Sequence, residues 1–200
     1  MSKNLTDADI SRAATALGVP SASVRAVLDV ETPRGGFQPD GQVAILFERH
    51  YFSRLTGGKY DKTHPHISGR QGGYGKYSEQ HAKLQEAVSL DRNAALQSAS
   101  WGKPQIMGEN WGLTGASSLQ DFINKMSASE GAQLDLFVNF IKNERRRFDP
   151  VTLQSSSKGM SLWEALKARN WKVFARIYNG PAFAKNQYDT KLEAAYKARS

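Results

Sequence analysis

The sequence predicts a mainly α-helical domain with a small β element near residues 43–47. Apolar residues recur at helical spacing along most of the chain, whereas residues 43–47 form the one short run with β character. The chain has 200 residues, of which 40% are hydrophobic, and this is enough to build one core without disulfides. We therefore expect residues 1–200 to form a single domain.

The composition limits the chemistry that is available. There is no cysteine, which excludes disulfides, a thiolate nucleophile and a cysteine-ligated zinc site. The formal net charge is +8, and its excess lies in residues 141–200, where 13 Lys and Arg face 5 Asp and Glu. A basic surface attracts polyanions such as nucleic acid or envelope polymers, but it also keeps a protein soluble, and charge alone does not decide between these roles.

The first residues are polar and acidic where a signal peptide would have an apolar core. No run approaches the roughly 18 apolar residues that a membrane-spanning helix requires. The sequence therefore predicts a soluble protein that is made in the cytoplasm.

The first helix is predicted to begin after a capping hydroxyl at Thr6 and to end at Gly18. A second begins at Ser21 or Ser23, and Pro33 marks its end, which places Glu31 on the last turn. The partial negative charge at a helix C-terminus raises the pKa of an acid, and a general acid needs such a shift.

Further helical patterns follow a long surface loop, which is predicted over residues 55–77 because this stretch is dense in glycine and polar residues. The apolar spacing predicts helices over residues 78–97, 117–128, 129–147, 162–169 and 173–178, and from Thr190 onward.

Glu31 is the candidate general acid for cleavage of a glycosidic bond, because that reaction needs a carboxylic acid that stays protonated near neutral pH. Far downstream, Trp101, Gly102 and Gln105 combine a ring that stacks on sugars, a backbone that permits close approach and a hydrogen-bonding amide. Each of these residues also has an ordinary use, as a solvated helix end or a core turn.

Tyr178 and Asn179 supply a phenol and an amide at the end of another helical pattern, where they could hold a sugar substituent or orient the acid. Asn179-Gly180 is also an ordinary helix C-cap.

The sequence does not identify the base that activates water. Glu48 and Asp40 are the candidate second carboxylates by proximity in sequence, and pairing of Glu48 with Arg49 or His50 is the favoured structural alternative. We assign no metal, because His64-Pro-His66 has no third ligand pattern, and no cofactor is needed.

These residues resemble the goose-type lysozymes and soluble lytic transglycosylases, through Glu31-Thr32, Gly102-Lys-Pro-Gln-Ile106 and Ile177-Tyr-Asn179. The chain is more closely similar to the N-acetylmuramidase family of phage endolysins. That similarity runs through most of the chain and is carried by Asp29-Val-Glu31, Gly36-Phe37, Asp40-Gly41, Ile45-Leu-Phe-Glu-Arg-His50, Trp101-Gly-Lys-Pro-Gln-Ile-Met-Gly108 and Tyr178-Asn-Gly-Pro181.

The resemblance implies a lysozyme-like fold that cleaves the β-1,4 bond between N-acetylmuramic acid and N-acetylglucosamine. Glu31 would be the general acid, and Gln105 and Tyr178 would line the cleft. The implied partner is the peptidoglycan glycan strand, and residues 141–200 would contact anionic envelope components. We expect no nucleic acid to bind, and we expect a monomer. The protein would reach the wall after the membrane has been breached.

Two other functions are open at the level of sequence. A lytic transglycosylase uses the same acid but leaves 1,6-anhydro ends. A cationic protein that binds walls or disrupts membranes would need no catalysis.

Overall fold

The computed structural model describes residues 3–31 and 35–200, so the predicted turn at Thr32 and Pro33 lies outside the described residues. The mainly helical fold class is confirmed. Within the described ranges there are ten α-helices: α1 Asp7–Leu17, α2 Ser21–Glu31, α3 Arg49–Leu55, α4 Gln80–Leu90, α5 Arg92–Gln97, α6 Leu119–Ala128, α7 Glu130–Asn143, α8 Leu162–Ala168, α9 Trp171–Tyr178 and α10 Tyr188–Lys197.

A small antiparallel sheet has the strand order β1-β2-β3. Strand β1 Ile45–Phe47 confirms the predicted β element, and it pairs with β2 Ala99–Trp101, which pairs with β3 Ile106–Met107. The sequence motif at residues 101–108 is therefore the turn of a hairpin. Strands β4 Arg147–Phe148 and β5 Met160–Ser161 form a separate ribbon.

The predicted N-terminal helix begins and ends where its caps indicate. The Thr6 hydroxyl accepts from the Asp9 amide, and the Asp9 carboxylate accepts in turn from the Thr6 amide, which satisfies two free donors of the first turn. Gly18 ends α1 in the left-handed conformation, with φ of 65°.

One predicted helix is broken in two. Residues 78–97 were expected to be continuous, but Asp91 adopts an extended backbone with φ of −155° and ends α4. Its carboxylate then accepts from the Ala94 amide at 2.9 Å and caps α5. The helix predicted over 129–147 also ends early, at Asn143, because Arg147 pairs with Ser161 in the β4–β5 ribbon.

Both terminal regions of the described chain pack against helix α2. Helices α1 and α10 both contact it, and Val24, Val27 and Leu28 of α2 are buried together with Leu192 of α10. This packing fixes the helix that ends at Glu31. No helix among the described residues has the length and apolar character needed to span a bilayer.

Candidate active site

Glu31 is the last residue of α2, and its side chain lines a cleft of about 540 Å³. Burial of the carboxyl group raises its pKa to about 7. The Asn179 amide donates a 2.8 Å hydrogen bond to Glu31 Oε1, which opposes the shift without cancelling it. Glu31 can therefore hold a proton near neutral pH, as a general acid must.

The turn after α9 supplies two of the groups around this acid. Asn179 is the C-cap residue of α9, so its amide reaches Glu31 from a fixed backbone position. Tyr178 is packed against three phenylalanine rings, and its hydroxyl donates to the carbonyl of Pro104 in the hairpin. Burial and the nearby Glu31 charge keep the pKa of Tyr178 well above its usual value, so the phenol stays neutral.

Gln105 is held in the cleft by a network within the hairpin. Its Oε1 accepts from the Ser100 hydroxyl at 2.8 Å, and its Nε2 donates to the Gly102 carbonyl at 2.8 Å. Gln105 also has a positive φ of 51°, a conformation that costs energy for a residue with a side chain. The cleft lining thus includes Glu31, Gln105, Tyr178 and Asn179 together.

Trp101 and Gly102 lie behind the cleft instead of lining it. The Trp101 ring is only 3% exposed, and its Nε1 donates to the Leu96 carbonyl at 3.1 Å, so no face is offered to a sugar. Gly102 has φ of 68°, and a Cβ there would approach within 2.7 Å of Gln133 Cδ. We assign both residues to packing of the hairpin.

The two candidate second carboxylates occupy different surroundings. Glu48 lines the cleft, and burial raises its pKa, while the nearby Tyr74 side chain acts in the opposite direction. Asp40 is exposed outside the described cleft lining and accepts from the backbone and side-chain amides of Gln42.

The expected pairing of Glu48 with a basic neighbour involves His50. Glu48 Oε2 lies 3.2 Å from His50 Nδ1, but neither atom has a hydrogen bond among the described residues. Burial and the Arg54 charge lower the pKa of His50. Because the imidazole is then neutral at neutral pH, we treat this pair as a polar contact and not as an ion pair.

Two buried side chains on α7 hold the site together, and sequence patterns did not single them out. Gln133 Oε1 accepts from the Lys103 amide at 2.7 Å, and its Nε2 donates to the Gly36 and Met126 carbonyls. Glu130 accepts from the Gly36 amide. Polar residues on the buried face of an otherwise apolar helix were the available signal.

Tyr188 and Tyr74 were also not anticipated from sequence. Tyr188, the first residue of α10, lines the cleft, and burial followed by the charges of Glu31 and Tyr74 raises its pKa. Tyr74 belongs to the loop that was predicted over residues 55–77. Among the described residues, no three His, Asp or Glu side chains converge as a metal site would require.

Comparison with known proteins agrees with this geometry. The family model of the N-acetylmuramidases matches residues 20–200. The crystal structure of a Burkholderia AP3 phage endolysin is similar to this chain, with 38% sequence identity and a TM-score of 0.82. The match covers 99% of this chain and 71% of the endolysin chain. A search of curated proteins gave no significant match. The chain therefore belongs to the N-acetylmuramidase family and is a glycoside hydrolase of the lysozyme type.

Proposed function

We propose that this protein is a peptidoglycan hydrolase of the endolysin type, which cleaves the β-1,4 bond between N-acetylmuramic acid and N-acetylglucosamine with Glu31 as the general acid. The observation that carries the proposal is the buried Glu31 carboxyl, whose pKa is about 7, at the cleft. The endolysin similarity supports the cell wall as the site of action.

In the proposed reaction, Glu31 donates its proton to the glycosidic oxygen as the bond to the leaving sugar breaks. Asn179 orients the carboxyl group through its hydrogen bond. Ser100 and the Gly102 carbonyl hold the Gln105 amide in one orientation, in which it can meet the hydroxyl or acetamido groups of a bound sugar.

Of the two carboxylates considered, Glu48 is the better second group. It shares the cleft with Glu31, whereas Asp40 is exposed and outside the cleft lining. We propose that Glu48 orients the water that attacks the sugar.

Release of soluble fragments from purified, membrane-free peptidoglycan tests the proposal. We expect Glu31→Gln to lower the rate at least about 100-fold, and Glu48→Gln to lower it at least about tenfold. Asp40→Asn is the matched control and keeps the wild-type rate. Full activity in Glu31→Gln would refute the acid assignment. Mass analysis should find reducing muramic acid ends, and anhydro ends would identify a transglycosylase instead.

We also propose that the basic residues 141–200 attract the enzyme to anionic envelope polymers, and that it acts as a monomer once the membrane has been breached. The net charge of +8 supports the first point. We expect binding to intact walls to weaken as salt rises, while cleavage of short soluble oligosaccharides, which carry few charges, changes much less. Salt-independent wall binding would contradict the electrostatic part.

A further inference from the structure

The cleft beside Glu31 is accompanied by a second cavity of about 550 Å³. The two share His50, Tyr51, Met107 and the turn at residues 178–181, so they form adjoining arms of one depression. We call the second cavity the charged arm. Its remaining lining is Arg54, Glu109, Asn110, Glu144, Arg146 and Ile177.

The charged arm holds two arginine–carboxylate pairs. Arg146 Nη2 lies 2.8 Å from Glu144 Oε2, and Arg54 Nη2 lies 2.5 Å from Glu109 Oε2. The side chains of Arg54 and Arg146 are 55% and 51% exposed, so both guanidinium groups remain accessible from the arm. Arg54 also lies over the Tyr51 ring, 4.9 Å from its centroid.

The two pairs differ in how readily the arginine can change partner. The Glu144 side chain is only 6% exposed, so Arg146 compensates a buried carboxylate and must stay in place. The Glu109 side chain is 35% exposed, so water can solvate it when Arg54 turns to another anion. Of the two arginines in the arm, Arg54 is therefore the one that is able to bind a ligand.

The substrate has two chemically distinct parts. Its N-acetylated glycan strand has no free charge where the lactyl carboxyl of muramic acid is amide-linked to a peptide. That stem peptide carries free carboxylates. A guanidinium donates two parallel hydrogen bonds to a carboxylate, which neutral sugars cannot match in strength.

We propose that the charged arm binds the stem peptide of the substrate, with Arg54 donating to one of its carboxylates. The proposal rests on the proposed function, because it assumes a peptidoglycan strand in the adjoining cleft. It makes this enzyme selective for strands that still carry their peptides.

The test compares kcat/KM on two soluble substrates, which are glycan strands with intact stem peptides and the same strands after an amidase has removed them. We expect Arg54→Gln to lower the ratio of the two values about fivefold, as for one partly exposed charge contact. Arg54→Lys keeps the charge without the two-pronged geometry and should give an intermediate ratio. Arg12→Gln is the control, because Arg12 pairs with Asp9 and Asp135 away from the cleft lining.

An equal fold loss on both substrates in Arg54→Gln would mean that the arm binds the glycan strand itself, through its sugars or through the lactyl carboxylates that the amidase uncovers. Unchanged kcat/KM values on both substrates would mean that Arg54 contacts neither part of the substrate. Either result overturns the proposal while leaving the proposed function intact. If the wild type cleaves neither substrate, the proposed function itself fails. Unfolding midpoints of the variants identify any loss that comes from misfolding.

Discussion

At the residue scale, the pKa of Glu31 is set by the surroundings of its carboxyl group. The sequence predicts an upward shift from the negative end of a helix. The structure adds burial of the carboxyl group, which is the largest cause of the shift, while the Asn179 hydrogen bond opposes it. The pKa of this acid is therefore set by burial of its carboxyl group and by one amide, which reaches it from the end of another helix.

The pH dependence of the rate follows from this balance. Glu31 must be protonated to donate, so we expect the wild-type rate to fall as pH rises through about 7. Asn179→Ala removes a hydrogen bond that lowers the pKa, so the falling limb should move to higher pH. Rates on soluble oligosaccharides across pH measure this shift, and a limb that moves to lower pH would contradict the stated cause.

The same shift predicts how stability depends on pH. Glu31 has an ordinary pKa of 4.5 when unfolded and about 7 when folded, so folding costs nothing extra below pH 4.5, and the cost grows to its full size above pH 7. Glu31→Gln removes this cost. We expect the variant to be more stable than the wild type at pH 8 by up to about 3 kcal/mol, and equally stable at pH 4. Denaturant unfolding at the two pH values measures the difference, and equal stability at pH 8 would argue against a buried carboxyl.

At the element scale, the helices were predictable where local signals agree. The Thr6 cap and the Gly18 stop define α1, and apolar spacing defines α2. The hairpin at residues 99–107 was not predictable, because strands of three and two residues are too short to show alternation. Strand β2 also pairs with β1 across a long sequence separation, and a local pattern does not show such a contact.

The site was predictable to a similar extent. Sequence chemistry selected Glu31, Gln105, Tyr178 and Asn179, which the fold brings into one cleft. The sequence did not predict that the Trp101 ring would be buried, because the local sequence around an aromatic residue in a turn is the same whether the ring packs in a core or binds a sugar. Tyr188 was missed because its role depends on how α10 packs.

Helix α7 joins two distant backbone segments through Gln133, which bonds to Gly36 and to Lys103. A Cβ at Gly36 would lie 2.2 Å from Gln133 Oε1, so the observed position of this glutamine requires a glycine at residue 36. Gln133→Met keeps the volume but leaves the Lys103 amide and the Gly36 carbonyl without these partners. We expect a loss of roughly 2–4 kcal/mol in denaturant unfolding, and a loss below about 1 kcal/mol would show that water replaces the amide.

At the scale of the whole molecule, α10 holds α2 through apolar packing more than through charge. The Arg199–Asp29 contact joins two side chains that are each about two-fifths exposed, whereas Leu192 is fully buried. We expect Leu192→Ala to cost about 2–5 kcal/mol and Asp29→Asn to cost less than about 1 kcal/mol. Unfolding curves of both variants provide the comparison, and a larger effect of Asp29→Asn would reverse the ranking.

The packing of α10 on α2 also makes the cleft depend on a part of the chain that is synthesised late. A ribosome releases α2 early and α10 late, yet Tyr188 of α10 forms part of the wall beside Glu31. An emerging chain therefore has its acid long before it has a finished cleft. Products that stop before residue 188 lack this part of the cleft wall, so we expect lytic activity on purified peptidoglycan only from chains that include α10.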